Sequence, residues 1–166
     1  GDTVVTTLDV NGQRAALDAL GSRCGAVVVL DPRTGRVRVM VSSPSYNPND
    51  VEENFGRIEK IRADCTPASP LLNRASQGLY PPGSTFKVVS TAALLADGLD
   101  VDDVVECPAR KTVGGRSFKN FEGGAAGAVP FRVDFAQSCN TAFVSLAKDL
   151  DDEAIAQAAE GFGFGA

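Results

Sequence analysis

Histidine is absent from the 166-residue chain, and its absence excludes several kinds of catalytic site. A Ser-His-Asp triad needs an imidazole as its general base, and many metal centres use imidazole nitrogen as a ligand. Neither can be built from this chain. If the chain carries out acyl transfer or hydrolysis at a serine, lysine is the natural base.

Positive charge is also scarce, since 16 Lys and Arg stand against 21 Asp and Glu for a formal net charge of -5. Nucleic-acid binding requires clustered Lys and Arg to neutralise phosphates, and the sequence shows no such cluster. We therefore expect no nucleic-acid partner. No apolar run approaches the roughly 20 residues that a membrane-spanning helix needs.

Cysteine is present at four separated positions, none of which forms a Cys-x-x-Cys pair: Cys24, Cys65, Cys107 and Cys139. The sequence therefore predicts no metal site, and it indicates no cofactor. An even number permits disulfides in an oxidising compartment, but four buried thiols fit the sequence equally well. Length and composition are typical of one globular domain.

The first part of the chain predicts a helix followed by a β-hairpin. Asp9 is a suitable cap for a helix that ends at Gly21. Residues 26–30 and 37–41 have the composition of strands, and residues 31–35 between them supply turn chemistry. The first strand is uninterruptedly apolar, which indicates a strand covered on both faces.

The second part predicts mainly helices, over residues 84–95, 131–137 and 141–150, followed by a last helix capped by Asp151. Residues 108–127 are rich in glycine and weakly periodic, and are predicted to form an extended loop.

A serine and a lysine lie three residues apart at the start of the first of these helices, in residues 80–87 (YPPGSTFK). Residues at this spacing share a helix face, so the Lys87 amine can lie within hydrogen-bond reach of the Ser84 hydroxyl. The apolar run over residues 86–95 buries the helix, and burial lowers the pKa of a lysine, as a general base requires. A capping serine and a solvated lysine are the alternative for the bare pattern.

A second motif comprises Ser138 and Asn140, separated by Cys139. Its simplest interpretation is a helix cap, a role that both Ser and Asn favour. Its functional interpretation is that Ser138 relays a proton between Lys87 and a leaving group, while the Asn140 amide orients the lysine and a substrate amide. Cys139 is expected to be a packing residue.

Together these motifs resemble those of the penicillin-binding proteins, the serine D,D-transpeptidases that crosslink peptidoglycan, and among them the class B enzymes of the penicillin-binding protein A type. The segments that carry the resemblance, in order, are residues 6–17, 25–35, 43–49, 73–75, 80–87 and 138–143.

The resemblance implies an α+β fold, namely the amino-terminal part of a penicillin-binding transpeptidase (β-lactamase-like) fold with a β-hairpin packed with a helical subdomain. Residues 1–166 would form a partial transpeptidase domain, without the carboxy-terminal half that carries the family's Lys-Thr/Ser-Gly strand. The missing half or another chain would then complete the sheet. We expect the chain alone to be weakly active or inactive.

For the site, the resemblance implies that Ser84 attacks the D-Ala-D-Ala carbonyl of a peptidoglycan stem peptide and becomes an acyl-enzyme. Lys87 would take the serine proton, and Ser138 and Asn140 would complete the proton path and hold the donor peptide. β-Lactams would acylate the same serine.

The resemblance also implies a location at the extracytoplasmic face of the bacterial cell membrane, through an amino-terminal anchor, and work with the cell-wall synthesis machinery. Two other functions stay open at this point. One is a serine β-lactamase, which needs a glutamate-bearing loop to activate water. The other is a non-enzymatic β-lactam sensor or a scaffold of the division machinery.

Overall fold

The computed structural model describes residues 2–165. They form two compact units, of which the first ends at Tyr80 and the second begins at Pro81. Both units combine helices with short antiparallel strand pairs, which agrees with the predicted α+β class. None of the described helices is long and apolar enough to cross a membrane.

The first unit contains a helix, a hairpin and two short helices. Their bounds are α1 (Val10–Leu20), β1 (Gly25–Leu30), β2 (Val37–Ser43), α2 (Asp50–Glu53) and α3 (Phe55–Glu59). The carboxylate of Asp9 accepts a hydrogen bond from the backbone N–H of Gly12 at 2.6 Å, and Gly21 follows the last turn of α1. The predicted cap and end of this helix are therefore confirmed.

The predicted hairpin is confirmed, because β1 pairs antiparallel with β2. The expectation that β1 is covered on both faces is wrong for the described residues. Val28, Val29 and Leu30 are 45%, 45% and 54% exposed, whereas Val39 and Val41 on β2 are buried. The reason is that the described sheet has only two strands and α1 packs mainly against β2, which leaves β1 at the edge.

The irregular segment after α3 is held by a disulfide and by a buried arginine. Cys24, just before β1, is bonded to Cys65. The guanidinium of Arg74 donates to the carbonyls of Ala68 at 2.7 Å and Ser69 at 3.2 Å. Because these backbone oxygens are satisfied by a side chain, the segment is ordered without regular secondary structure.

The second unit contains four helices, four short strands and two 3₁₀ turns among the described residues. Their bounds are a 3₁₀ turn (Gly83–Phe86), α4 (Lys87–Ala96), β3 (Val104–Cys107), β4 (Arg110–Val113), β5 (Arg116–Lys119), a 3₁₀ turn (Phe121–Gly123), β6 (Gly127–Pro130), α5 (Phe131–Ala136), α6 (Asn140–Ala147) and α7 (Asp152–Gly161). The four predicted helices are confirmed, including the Asp151 cap, although the first of them begins as a 3₁₀ turn.

The prediction of an extended loop over residues 108–127 is wrong. This segment contains the hairpin formed by β4 and β5, and its end pairs with β3 through β6. Gly114 and Gly115 join β4 to β5 with φ of 56° and 75°, the left-handed conformations that a tight hairpin turn requires. The strands were hard to recognise because they are mostly polar and exposed, and so lack an apolar face.

Two buried clusters hold the helices of the second unit together. The larger one joins α4, α5 and α6 through Ala93, Leu94, Phe131, Phe143 and Leu150. The smaller one contains the Cys107–Cys139 disulfide and Ala142, and so connects β3 to the start of α6. Both pairs of cysteines are thus disulfides, which decides between the alternatives that the sequence left open.

The carboxyl group of Asp134 is fully buried beside this smaller cluster. Its exposed fraction is 0%, and neither oxygen has a hydrogen-bond partner within residues 2–165. A carboxylate oxygen lies within 4.8 Å of the sulfur atoms of Cys107 and Cys139. Burial raises the pKa of Asp134, because the charged form loses its hydration.

We expect Asp134→Asn to change how stability depends on pH. The folded carboxyl keeps its proton at pH values where the unfolded one has lost it, so the wild-type free energy of unfolding should fall as pH rises from the unfolded to the folded pKa. Asparagine has no proton to lose. The free energy of unfolding of the variant should therefore increase relative to that of the wild type over this window, by about 1.4 kcal/mol for each unit of difference between the folded and unfolded pKa. Urea unfolding at a series of pH values measures this, and parallel pH curves would contradict it.

Candidate active site

Ser84 lies in the 3₁₀ turn that precedes α4 and lines an open cavity. Gly83 directly before it has φ of 56°, a left-handed conformation that glycine adopts without a steric cost. The cavity measures about 500 Å³, and Ser138 and Asn140 also line it. The structure thus places the predicted nucleophile and both residues of the second motif around one space.

Lys87, the first residue of α4, contacts the second motif directly. Its Nζ donates to the Ser138 carbonyl at 2.6 Å, to the Ser138 Oγ at 2.9 Å and to the Asn140 Oδ1 at 2.6 Å. The amine also lies 5.2 Å from the centroid of the Phe143 ring. Two motifs that are distant in sequence therefore form one hydrogen-bonded group.

Burial lowers the pKa of Lys87, because the partly desolvated site disfavours the ammonium form. None of the ion pairs found within residues 2–165 includes Lys87, so no carboxylate offsets this effect. At a given pH, a larger fraction of Lys87 than of an exposed lysine is therefore the neutral amine, which is the form that can accept a proton.

The expected hydrogen bond between Lys87 and Ser84 is absent from the described structure. The side chain of Lys87 instead donates to Ser138 and Asn140, and only its backbone N–H bonds to the Ser84 carbonyl. Two features account for this difference. Ser84 stands in a 3₁₀ turn rather than in a regular α-helix, and three oxygen atoms already surround the amine.

Ser138 has a backbone conformation that is uncommon outside glycine, with φ of 56°. In this conformation both its carbonyl and its hydroxyl reach Lys87. The following residue, Cys139, is 2% exposed, caps α6 by accepting from the N–H of Ala142 at 3.3 Å, and is bonded to Cys107. The expected packing role of Cys139 is confirmed, and the disulfide adds a covalent anchor next to two site residues.

The side-chain amide of Asn140 is oriented at both ends. Its Oδ1 accepts from Lys87, and its Nδ2 donates to the Lys119 carbonyl at 3.0 Å. Lys119 lies at the end of β5, within the segment that was predicted to be a loop. Besides Lys119, the cavity wall contains four further residues that the sequence did not single out. They are Asn120, Phe121, Glu122 and Gln137, the last of which directly follows α5.

A comparison with known protein families finds one family that matches most of the chain. The family described as penicillin binding protein transpeptidase domain matches residues 25–166. The chain belongs to this family. The resemblance inferred from the sequence motifs is therefore confirmed.

Individual relatives match nearly the whole chain. It is 40% identical to the peptidoglycan D,D-transpeptidase PbpA of Mycolicibacterium smegmatis, over 98% of this chain and 36% of the relative. It is 31% identical to the peptidoglycan D,D-transpeptidase MrdA of Escherichia coli, over 99% of this chain and 26% of the relative. The chain thus spans about a quarter to a third of the length of these curated relatives.

Solved structures of the family have the same fold. Penicillin-binding protein A from M. tuberculosis, as a ceftriaxone acyl-enzyme complex, superposes with a TM-score of 0.84 at 37% identity. The match covers 97% of this chain and 39% of that one. An imipenem acyl-enzyme complex of the same protein gives a TM-score of 0.84 at 36% identity.

Proposed function

We propose that this chain carries the acylation centre of a peptidoglycan D,D-transpeptidase, with Ser84 as the nucleophile and Lys87 as its general base. The observation that carries the proposal is the group of hydrogen bonds from Lys87 to Ser138 and Asn140, at the edge of a cavity that Ser84 lines. The names of the relatives and the acyl-enzyme complexes of solved family members support the same reaction.

Acylation would begin with transfer of the Ser84 hydroxyl proton to the neutral Lys87 amine. The Ser84 oxygen attacks the carbonyl of the penultimate D-Ala of a stem peptide. The peptide C–N bond then breaks, and an ester forms with the enzyme. The leaving D-Ala amine takes up the proton, which Lys87 passes on through the Ser138 hydroxyl at 2.9 Å.

Completion of the reaction would return the enzyme to its free form. An amine of a neighbouring stem peptide attacks the ester, and its surplus proton returns through Ser138 and Lys87 to the Ser84 oxygen. β-Lactams carry a strained amide in place of the D-Ala-D-Ala bond, and would acylate the same serine. The reaction as proposed uses only side chains of the protein and needs no cofactor.

Since the chain spans about 36% of its first relatives, we assign the full activity to a protein that contains this chain and the rest of the transpeptidase domain, called here the complete domain. The chain alone is proposed to be a partial domain with weak activity or none. The remaining strands, from the same polypeptide or another, would cover the exposed edge at β1.

We further propose that the protein works at the extracytoplasmic face of the bacterial cell membrane, held by an amino-terminal anchor, together with the cell-wall synthesis machinery. The two disulfides support an oxidising compartment, because disulfides persist there and are rare in the cytosol. Peptidoglycan stem peptides and β-lactams are the proposed ligands.

A labelled penicillin tests the assignment. Intact-mass analysis of the complete domain should show one adduct, and peptide mapping should place it on Ser84. Ser84→Ala should abolish it, and an adduct that survives this substitution would refute the nucleophile. The adduct should also persist for far longer than seconds, because rapid clearance would indicate a β-lactamase instead.

A further inference from the structure

Asn120 is a buried polar residue directly after β5, and it uses both ends of its side-chain amide. Its Nδ2 donates to the carbonyls of Gly124 at 2.8 Å and Pro108 at 3.0 Å, and its Oδ1 accepts from the N–H of Thr141 at 3.0 Å. Only 7% of the residue is exposed. The two carbonyls can only accept and the N–H can only donate, so these partners fix the orientation of the amide.

Asn120 is connected to the active site through Lys119, the residue directly before it. The carbonyl of Lys119, which accepts from Asn140 Nδ2 at 3.0 Å, belongs to the peptide group that joins Lys119 to Asn120. Lys119 and Asn120 therefore bind two consecutive residues of α6, since the first holds Asn140 and the second holds Thr141. Movement of Asn120 would displace the carbonyl that orients Asn140.

Thr141, on α6, binds the same backbone carbonyl as Asn120. Its exposed fraction is 0%, and its hydroxyl donates to the Pro108 carbonyl at 2.7 Å, which also accepts from Asn120. A buried network with all partners present is rigid, and loss of one member leaves the others unsatisfied. The anchor formed by Asn120, Thr141 and the Pro108 carbonyl is therefore suited to hold a neighbouring group in one position.

We propose that Asn120 is a positioning residue that holds the Lys119 carbonyl, and through it Asn140 and Lys87, in the geometry needed to acylate Ser84. This role rests on the proposed function. Asn120 is part of the cavity wall, but the polar atoms of its side chain are bonded to backbone groups of the protein. Its loss should therefore affect the acylation step itself more than the binding of a β-lactam. A displacement of about 1 Å at a catalytic group can lower a rate about a hundredfold.

The first measurement uses the 166-residue chain and follows the Asn140 side-chain amide and the Lys87 Cε by NMR. Asn120→Ala should move the Asn140 amide resonances toward those of a free amide and shift the Lys87 resonance. Thr141→Val, which removes one hydroxyl of the same anchor, should do so as well, and Thr141→Ser should restore the wild-type resonances. If Asn120→Ala does not fold, the Val and Ser pair at Thr141 decides the question.

The second measurement is the acylation kinetics of the complete domain with a labelled penicillin. Asn120→Ala should lower the limiting acylation rate constant by about tenfold to a hundredfold, with a much smaller change in the half-saturating concentration. Ile58→Ala, which removes a 2% exposed side chain on α3 of the first unit, is the matched control. It should lower thermal stability but leave the rate constant and the Asn140 resonances unchanged.

The outcomes separate this role from the proposed function. Unchanged Asn140 resonances and an unchanged acylation rate in Asn120→Ala would overturn the positioning role alone. An equal loss of rate in Ile58→Ala would also overturn it, because general destabilisation would then explain the effect. A wild-type complete domain that takes no penicillin on Ser84 would overturn the proposed function, and the positioning role with it.

Discussion

Lys87→Met should lower the rate at which a labelled penicillin acylates Ser84 by about a hundredfold to ten-thousandfold, the range typical of a lost general base. Methionine has a length similar to that of lysine but cannot accept a proton. In the structure Lys87 is the basic side chain that contacts both Ser138 and Asn140. The rate is measured by quenched-flow labelling of the complete domain at neutral pH.

Lys87→Arg distinguishes a base from a positive charge. Arginine keeps the charge but stays protonated at all accessible pH values, so it should be about as inactive as methionine. An arginine variant with nearly the wild-type rate would show that Lys87 acts through its charge alone, and the proton transfer proposed here would be wrong.

The wild-type rate should also rise with pH, because the base is active only as a neutral amine. Burial lowers the pKa of Lys87, so the midpoint of this rise should lie below the pKa of an exposed lysine. Both variants at Lys87 should lose this rise. The same titration can be followed in the wild type through the Lys87 Cε resonance, which should give the same midpoint.

Local signals in the sequence were sufficient to predict most of the helices. Asp9 and Asp151 both cap helices as expected, because a cap depends on residues three or fewer positions away. The β1–β2 hairpin was predictable for the same reason. The exposure of β1 was not predictable from local signals, because it depends on which other elements pack beside the strand.

The hairpin formed by β4 and β5 shows the limit of apolar patterning. Its strands carry charged and polar side chains and are mostly exposed, so they have no apolar alternation to recognise. The Gly114-Gly115 pair between two short segments was the available signal, because two consecutive glycines suit a two-residue hairpin turn. The overall glycine content of residues 108–127 concealed it.

The candidate site was predictable in its residues but not in its contacts. The short motifs identified four candidate residues. The structure places Ser84, Ser138 and Asn140 around one cavity, and Lys87 bonds to the last two of these. The helical spacing suggested a direct bond between Ser84 and Lys87, yet the lysine bonds across the fold to Ser138 and Asn140. Hydrogen bonds between residues distant in sequence, like the pairing of cysteines, depend on the tertiary structure, which the spacing within a short motif does not determine.

Removal of the Cys107–Cys139 disulfide should affect stability and acylation together. The bond closes a loop with a sequence separation of 32 residues, and its loss in Cys107→Ala with Cys139→Ala should cost about 3–4 kcal/mol. Cys139 also stands between Ser138 and Asn140 and caps α6. Loss of the disulfide should therefore let both partners of Lys87, Ser138 and Asn140, move from their positions. The acylation rate should fall by about tenfold to a hundredfold.

The second disulfide provides a matched control, because Cys24–Cys65 closes a comparable loop, with a separation of 41 residues, in the first unit. Cys24→Ala with Cys65→Ala should lower the thermal midpoint by a similar amount, since the lost loop-closure entropy is similar. It should leave the Lys87 and Asn140 resonances in place at temperatures where the protein stays folded. Equal losses of acylation in both double variants would mean that the Cys107–Cys139 bond supports only the fold. A loss confined to the Cys107 and Cys139 variant would show that the bond next to Ser138 also maintains the geometry of the site.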